Sequence, residues 1–444
     1  MTNMNYEQAL EFIENYAPKE MTLGLEAMTN LLEGLSHPET SLRIVHIAGT
    51  NGKGSVGAYL AYILSEAGYK IGRYVSPTIL DYRERIQTLA QGEVKYITKE
   101  STAEKVTCIQ GVMEKLKQQG KKLPTPFEIE TAMAFLEFAE KKCDVVLLET
   151  GLGGRLDATN AIQNKELALF TSISMDHMGI LGNSIEEITK EKAGIIKEET
   201  DVVCYDYGTE CTGKKIYEVL EKACQKKHAN LFRADFSKLQ IEQFSWQGTD
   251  FLYKGESYHV NLLGENQPYN AVTAIEAAKV LAGKKFRIRE TQIKNGLLRT
   301  KWPGRFDIVG KNPLLLVDGA HNEDAAYSLK HSLDVYFPGK KLVFIIGIFA
   351  DKEYEKIVSI TAPKAKKIIT IASENSRALP SKELMETARK YCDDVEDKKN
   401  IKEALSYVQT MKEETVIAFG SLSFLGEVYD VYKNNVEKAH VSEA

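Results

Sequence analysis

Short apolar runs rich in β-branched residues alternate with longer segments of helical period in the first half of the chain. The runs have the length and composition of buried strands, and the segments between them repeat apolar residues every three or four positions. Strands that alternate with helices pair in parallel through right-handed crossovers. We therefore predict a three-layer α/β domain with strands at 42–48, 70–75, 144–149, 167–173 and 201–205, and helices at 55–67, 127–141 and 213–227.

The pattern changes between residues 241 and 262, where polar and apolar residues alternate around turn signals at Gly248 and Gly255. This alternation predicts antiparallel hairpins appended to the main sheet. Two helices follow, at 269–282 and 290–298, and they end before the breaker Trp302-Pro303-Gly304.

A second series of strands and helices follows the breaker. It predicts a smaller, doubly wound Rossmann-like sheet, with strands at 314–318, 342–347, 367–371 and 416–419. We place the domain boundary near Leu298, which gives domains of residues 1–298 and 299–444; a single core rarely exceeds roughly 250 to 300 residues.

Composition and charge narrow the classes of function. The 444 residues are 43% hydrophobic and 27% charged with a net charge of -5, and Lys and Arg form no basic stripe, so we expect no nucleic-acid partner. No apolar run approaches the roughly 18 residues that span a bilayer, and the N-terminus is unlike a cleavable signal. The six cysteines form no CxxC pair, which favours free thiols. We expect a cytoplasmic protein that acts on small molecules.

A glycine-rich segment follows the first predicted strand and precedes a helix: Gly49-Thr50-Asn51-Gly52-Lys53-Gly54-Ser55. In this context, backbone N–H groups converge on an anion and a lysine reaches the terminal phosphates of a nucleotide. The match to a phosphate loop is imperfect, because Ile47 replaces the first glycine and Gly54 the usual hydroxyl residue. A plain glycine turn is the alternative, and Ser55 is either a magnesium ligand or a helix N-cap.

With this loop, the sequence resembles the bacterial folylpolyglutamate synthases and dihydrofolate synthases, relatives of the Mur ligases. The resemblance covers nearly the whole chain. Besides the loop, its motifs are Leu23-Gly24-Leu25-Glu26, Ser76-Pro77, Glu84-Arg85-Ile86, Gly151-Leu152-Gly153-Gly154-Arg155-Leu156-Asp157-Ala158-Thr159-Asn160, Asp176-His177, Glu191-Lys192-Ala193-Gly194-Ile195-Ile196, Trp302-Pro303-Gly304-Arg305, Asp318-Gly319-Ala320-His321-Asn322 and Gly420-Ser421-Leu422.

The resemblance implies a phosphate-loop ATPase domain, a C-terminal Rossmann-like domain and an active site in the cleft between them. It also implies the reaction. ATP phosphorylates a substrate carboxylate, and the amine of glutamate attacks the acyl phosphate to form an amide. Members of this family commonly act as monomers.

The resemblance further implies a magnesium site formed by Ser76, Glu149 and His177, each of which lies at or beyond the end of a predicted strand. On the residues alone, such polar positions are often only turn caps. Lys192 is by itself a solvated helical lysine, but in relatives the matching lysine is carbamylated and holds a second magnesium. We expect Lys53, Lys192 and His177 to serve in catalysis.

The remaining site residues also come from the resemblance. Asn270, Arg305 and Asp318 match positions that contact ATP; otherwise they are a surface amide, a linker charge and a turn aspartate. Thr125, Phe127, Asp157 and Ala158 match pterin-contacting positions, and His321 and Ser421 match positions tied to glutamate addition. Phe127 would otherwise be a core residue and His321 a buried, satisfied one.

Two departures from the family pattern concern the folate side: Thr78-Ile79 stands where a histidine commonly follows the Ser-Pro pair, and Ala27 where arginine is common. They leave open whether the protein extends folates, makes dihydrofolate from dihydropteroate, or does both; the context of Asp157 favours both. Two other functions remain open. One is a Mur-type peptidoglycan ligase, although only about forty residues precede the first strand, too few for the additional nucleotide-sugar domain of most such ligases. The other is an ATP-driven switch without ligation.

Overall fold

The chain folds as two compact units in a computed structural model that describes residues 4–16, 24–163 and 165–432. Leu23 of the first motif lies outside the described residues. The first unit comprises Met1–Pro77, Arg83–Leu239 and Tyr269–Thr300. The second comprises Thr78–Tyr82, Gln240–Pro268 and Lys301–Ala444. Each unit therefore consists of three separate stretches of sequence.

The first unit is built on an eight-stranded sheet. Its strands are β1 (Ile44–Ala48), β2 (Ile71–Tyr74), β3 (Ile86–Ala90), β4 (Glu93–Tyr96), β5 (Val145–Glu149), β6 (Leu167–Phe170), β7 (Asp201–Cys204) and β8 (Leu231–Arg233). The spatial order is β4-β3-β2-β5-β1-β6-β7-β8. The six strands β2, β5, β1, β6, β7 and β8 are parallel, and β3 and β4 form an antiparallel hairpin at one edge, next to β2. All residues of β1, β2, β5 and β6 are buried, as expected of central strands covered on both faces.

The helices of the first unit include all five predicted in this part of the chain. They are α1 (Tyr6–Tyr16), α2 (Glu26–Gly34), α3 (Lys53–Glu66), α4 (Lys99–Gln118), α5 (Pro126–Glu140), α6 (Ile185–Ala193), α7 (Cys211–Lys226), α8 (Gln267–Ala282) and α9 (Glu290–Arg299). Helix α3, which follows the glycine-rich loop, is buried almost throughout. Gly296 lets α9 approach the backbone of Ile63 in α3, where a Cβ atom would collide.

The predicted hairpins form, but the prediction that they extend the main sheet was wrong. Strands β9 (Leu239–Ser245), β10 (Gly248–Tyr253) and β11 (Glu256–Val260) form a separate three-stranded sheet. Trp246, in the turn between β9 and β10, packs its ring 5.0 Å from that of Tyr336 and 5.2 Å from that of Phe337, measured between ring centroids. Aromatic packing of this kind stabilises the sheet within the second unit.

The main sheet of the second unit has six strands, and α-helices cover both of its faces. They are β12 (Asp307–Lys311), β13 (Leu314–Val317), β14 (Leu342–Ile346), β15 (Ala365–Thr370), β16 (Val395–Asp397) and β17 (Thr415–Phe419), with α10 (Glu323–Tyr336), α11 (Tyr354–Thr361), α12 (Ser381–Ala388) and α13 (Ile401–Val408). The order is β12-β13-β17-β14-β15-β16, and β12 alone is antiparallel to its neighbour. All four predicted strands are present.

Successive residues of β14 point to two different hydrophobic cores. Phe344 and Ile346 pack in one core with residues of α10, α11 and α12. Val343 and Ile345 pack in the other with residues of α13. This period of two, with helices over both faces, confirms the predicted doubly wound sheet.

Candidate active site

Parallel pairing brings several predicted site residues to one edge of the first sheet. In the register of β1 and β5, Ile47 lies opposite Glu149, and on the other side of β1, Ala48 lies opposite Phe170 of β6. The glycine-rich loop, Glu149 and the segment after β6 therefore all leave the sheet at its carboxyl edge. This is the edge at which α/β proteins bind ligands.

The glycine-rich loop is held against the end of β6 by hydrogen bonds. The N–H of Thr50 donates to the carbonyl of Ser172 at 2.7 Å, and the hydroxyl of Thr171 donates to the carbonyl of Asn51 at 2.7 Å. Gly52 has a φ of +85°, a left-handed conformation that favours glycine. Helix α3 begins at Lys53, directly after it, so Ser55 lies inside the helix and its reading as an N-cap was wrong.

Two lysine amines converge on one carbonyl oxygen of this loop. Lys53 Nζ donates to the carbonyls of Gly49 and Thr50, both at 3.2 Å. Lys192 Nζ, from α6, donates to the same Gly49 carbonyl at 2.8 Å. The loop therefore carries two amines beside the start of a helix, where partial positive charge already gathers.

Lys192 is buried, with a relative exposure of 4%, so its reading as a solvated lysine was wrong. Burial, and to a smaller extent the charge of the neighbouring Lys53, lower its pKa to about 7, although Asp176 and Asp157 oppose the shift. A buried lysine with this pKa has a substantial fraction of neutral, nucleophilic amine near neutral pH.

Asn270 is buried against the glycine-rich loop and is not exposed on a helix surface, as its residue type alone suggested. It lies in α8, and a Cβ atom placed on Gly52 would be 2.7 Å from its Oδ1 atom. Gly52 therefore serves two purposes, the left-handed turn and the close approach of this amide.

The predicted magnesium ligands follow neighbouring strands. Glu149 is the last residue of β5 and is buried, and Ser76 follows the adjacent strand β2. His177 follows β6 with a φ of +53°; its side chain is 36% exposed and its Nε2 atom lies 3.9 Å from Asp176 Oδ2. Within the described ranges, no three His, Cys, Asp or Glu side chains are grouped to hold a metal ion. The magnesium set stays a prediction.

Arg73, in the middle of β2, was not predicted as a site residue. It is buried, and its Nη2 atom donates to the carbonyl of Gly54 at 2.6 Å. Burial lowers its pKa to about 10, and the negative charge of Glu149 is the largest opposing influence. The only signal in the sequence is a charged residue inside a short apolar strand, which is rare unless the charge is paired.

We expect Arg73→Met to lower the free energy of unfolding by about 1–3 kcal/mol, because a buried carbonyl loses its donor. Urea denaturation would measure the change. The Km for ATP should rise as well, since Gly54 belongs to the predicted phosphate loop. An unchanged Km in a destabilised variant would mean that Arg73 only supports the fold.

The predicted pterin-contacting residues flank the loop after β5. Thr125 caps α5 through a capping box with Glu128. The half-buried ring of Phe127 packs on Gly151, where a Cβ atom would be 2.5 Å from Phe127 Cζ, and its centroid lies 6.0 Å from that of Tyr74. Phe127 thus packs against the loop that contains Gly151 and is not a fully buried core residue.

Asp157 organises the same loop. Its Oδ2 atom accepts the N–H of Leu152 at 2.7 Å, and its Oδ1 atom accepts the N–H of Thr159 at 3.0 Å. Burial raises the pKa of Asp157, and these hydrogen bonds lower it. Ala158, the next residue, is buried at the start of a short 3₁₀ helix.

The four site residues predicted in the second unit lie where β13 and the adjacent β17 end. Asp318 accepts the N–H groups of Phe306 and Ala320, both at 2.9 Å; burial raises its pKa and Arg305 opposes this. His321 donates from Nδ1 to the carbonyl of Gly319 at 2.7 Å. Ser421 is buried and caps a 3₁₀ helix after β17. Binding roles for these residues stay predictions.

Comparisons with known proteins decide the family. The Mur ligase middle domain matches residues 47–278, and the glutamate ligase domain of Mur ligases matches residues 304–422. The dihydrofolate synthase/folylpolyglutamate synthase of Bacillus subtilis (strain 168) is 34% identical over 440 residues, which cover 95% of this chain and 98% of that protein. The chain belongs to the folylpolyglutamate synthase and dihydrofolate synthase family.

Solved structures of this family resemble the chain over almost its whole length. The folylpolyglutamate synthase of Thermotoga maritima has a TM-score of 0.82 and 30% identity, with 97% of both chains covered. The Escherichia coli FolC complex with DHPP and ADP has a TM-score of 0.82 and 28% identity, with 97% of this chain and 98% of that chain covered. As a member of this family the protein is an ATP-dependent ligase, which confirms the predicted class of enzyme.

Proposed function

We propose that this ligase joins the amine of L-glutamate to a folate carboxylate, and also to the carboxylate of dihydropteroate. The convergence of Lys53 and Lys192 on the Gly49 carbonyl, at the sheet edge where Glu149 ends β5, carries the proposal. Cationic groups at a helix start suit the terminal phosphates of ATP. The relative from B. subtilis bears both activities in its name, which supports a bifunctional enzyme.

The proposed reaction proceeds through an acyl phosphate. A carboxylate oxygen of the acceptor attacks the terminal phosphorus of ATP, and ADP leaves. The neutral amine of glutamate then attacks the acyl carbon; the bond from that carbon to the phosphate oxygen breaks, phosphate leaves and the amine loses a proton. Lys53 and the loop N–H groups stabilise the charge that gathers on the transferred phosphoryl group.

The other predicted site residues would bind the nucleotide, the pterin or glutamate. Asn270 would hold the nucleotide beside Gly52, and Arg305 and Asp318 are the other proposed nucleotide-binding residues. Phe127 offers a flat face to a pterin ring, with Thr125, Asp157 and Ala158 around it. His321 and Ser421 would bind glutamate. Residues 1–298 and 299–444 are the proposed ATPase and glutamate-ligase domains.

The residues at the edge of the first sheet fit magnesium if Lys192 is carbamylated. The Glu149 carboxylate and the Ser76 hydroxyl supply oxygen atoms, which this hard cation prefers, and His177 is a less usual ligand. An unmodified Lys192 next to Lys53 would oppose a divalent cation. When bound, magnesium would neutralise negative charge on the phosphate oxygens.

Carbamylation would reverse the charge of Lys192. The neutral amine attacks carbon dioxide and loses a proton, which leaves an anionic carboxylate on the nitrogen. The burial of Lys192 and its pKa of about 7 favour this chemistry. The modified side chain could then hold a second magnesium ion.

The compartment and oligomeric state belong to the same proposal. All six cysteines are free thiols, as predicted, which suits a reducing cytoplasm. Across the described part of the chain, no helix has the length and apolar character needed to cross a bilayer. We propose a cytoplasmic monomer, and sedimentation equilibrium would test the oligomeric state.

A phosphate-release assay with and without glutamate tests the function. Dihydropteroate and tetrahydrofolate should each stimulate phosphate release from ATP, and only when glutamate is present. A response to tetrahydrofolate alone would restrict the protein to folate extension. An ATP-driven switch would be indifferent to glutamate, and a peptidoglycan ligase would respond to neither acceptor; both outcomes would contradict the proposal.

A further inference from the structure

A buried chain of hydrogen-bonding side chains leads to Asp157 from beneath its loop. Lys165 Nζ lies 2.8 Å from His46 Nδ1, and His46 Nε2 lies 2.8 Å from Thr159 Oγ1. The Thr159 hydroxyl in turn donates to Asp157 Oδ1. His46 is the middle residue of β1, the strand that leads into the glycine-rich loop. The chain of contacts therefore links the central strand to the proposed pterin-binding loop.

The direction of these hydrogen bonds follows from the available protons. Burial and the nearby charges of Lys165 and Lys197 lower the pKa of His46, so its imidazole is neutral and has one N–H. Lys165 donates to His46 Nδ1 and to the carbonyl of Ile195, and even a neutral amine has the two N–H groups required. The proton of His46 is then on Nε2 and is donated to Thr159. The hydroxyl proton of Thr159 is left for Asp157.

A buried imidazole and a buried amine are costly components of a core. Desolvation lowers the pKa of both Lys165 and His46, and an apolar pair of similar size would avoid this cost. What the two polar groups provide is an oriented donor at Thr159. With the N–H of Leu152 on its other oxygen, the Asp157 carboxylate is held from both sides.

We propose that Lys165, His46 and Thr159 are positioning residues that fix the orientation of the Asp157 carboxylate and thereby the affinity for the pterin part of the acceptor. The inference rests on the proposed role of Asp157 in binding that ring. It assigns a function to three residues that neither touch nucleotide nor belong to the catalytic set.

Isothermal titration calorimetry with dihydropteroate would test this positioning, together with Km values for all three substrates. Thr159→Val, which keeps the shape and removes the hydroxyl, should raise the Kd for dihydropteroate about tenfold, the size of one lost hydrogen bond. His46→Gln and Lys165→Met should act in the same direction. The Km for ATP and kcat should stay within about twofold. Thr159→Ser keeps the hydroxyl and should restore the affinity.

Asp157→Asn separates this inference from the proposed function. It should raise the Kd for dihydropteroate, and adding Thr159→Val to it should cause no further loss, because the hydroxyl acts through Asp157. If Asp157→Asn leaves the Kd unchanged, the pterin-binding role of Asp157 fails and the inference fails with it. If Asp157→Asn weakens binding but folded Thr159→Val and His46→Gln do not, only the inference is overturned.

Two variants in the second unit control for general effects of the substitutions. Thr361 is buried and its hydroxyl bonds only to carbonyls of its own helix, so Thr361→Val matches Thr159→Val. His259 bonds to Asp250 in the hairpin sheet, so His259→Gln matches His46→Gln. Both should leave the Kd for dihydropteroate unchanged. A lower melting temperature in Thr159→Val with wild-type Kd would indicate a structural role alone and contradict the proposal.

Discussion

Replacing Lys53 with alanine should lower kcat for glutamate-dependent phosphate release by at least about a thousandfold, roughly 4 kcal/mol of transition-state stabilisation. Its amine contacts the carbonyls of Gly49 and Thr50 in the loop that we propose binds the terminal phosphates of ATP. The variant should still fold, because the Lys53 amine makes only these two hydrogen bonds within the described part of the chain. Phosphate release at saturating ATP, with a thermal melt of the same sample, would measure both effects.

The control for Lys53→Ala is another lysine of the first unit. Lys95 is 67% exposed on β4 and pairs only with the exposed Glu93, so Lys95→Ala should leave kcat unchanged. Lys53→Ala enzyme that couples glutamate to a pteridine acid at the wild-type rate would refute the phosphate-loop role.

Lys192→Ala should lower kcat by about a hundredfold to a thousandfold, and acetate should restore part of the activity. Removal of the buried side chain leaves space beside Gly49 for a small ion. If the working group is a carbamate, a carboxylate replaces its charge and oxygen atoms, whereas ethylamine does not. Wild-type activity should also fall when bicarbonate is depleted, and isotope-labelled bicarbonate should give a carbamate resonance in the spectrum of the wild-type protein.

The opposite rescue would identify an unmodified amine as the working group. Restoration by ethylamine but not by acetate, in a protein that bicarbonate depletion leaves active, excludes carbamylation. Lys105→Ala is the matched control, because Lys105 is also buried but pairs with Glu140 away from the loop. Neither additive should change its activity.

The sequence predicts the strands that are buried on both faces. Apolar runs such as those of β1 and β5 have little alternative to a central parallel strand, so their positions and the loop after β1 follow directly. The hairpin of β3 and β4 was missed, because β4 has only four residues and is largely exposed, so its alternation of charged and apolar residues is too short to predict a strand. The hairpin sheet of β9 to β11 was assigned to the wrong neighbour, since packing of Trp246 on Tyr336 depends on residues far apart in sequence.

The residues of the candidate site that sequence did not predict also depend on contacts between distant segments. The glycine-rich loop is a run of consecutive residues and can be recognised from the sequence, whereas the burial of Lys192 depends on a distant glycine. A Cβ atom on Gly154 would lie 2.8 Å from the Lys192 carbonyl, so the close packing of α6 needs that residue. Arg73 and His46 were missed for the same reason: each lies in an apolar strand and acquires its role from a partner on another element.

The division of each unit into three stretches of sequence has a consequence for how the chain is made. The first unit is complete only when Tyr269–Thr300 has left the ribosome. By then the hairpin sheet is already synthesised, but the two aromatic residues on which Trp246 packs are not. A fragment cut at residue 298 would leave that indole, which is 41% exposed in the folded chain, without these two aromatic partners. During translation, this surface has to avoid aggregation until Tyr336 and Phe337 emerge.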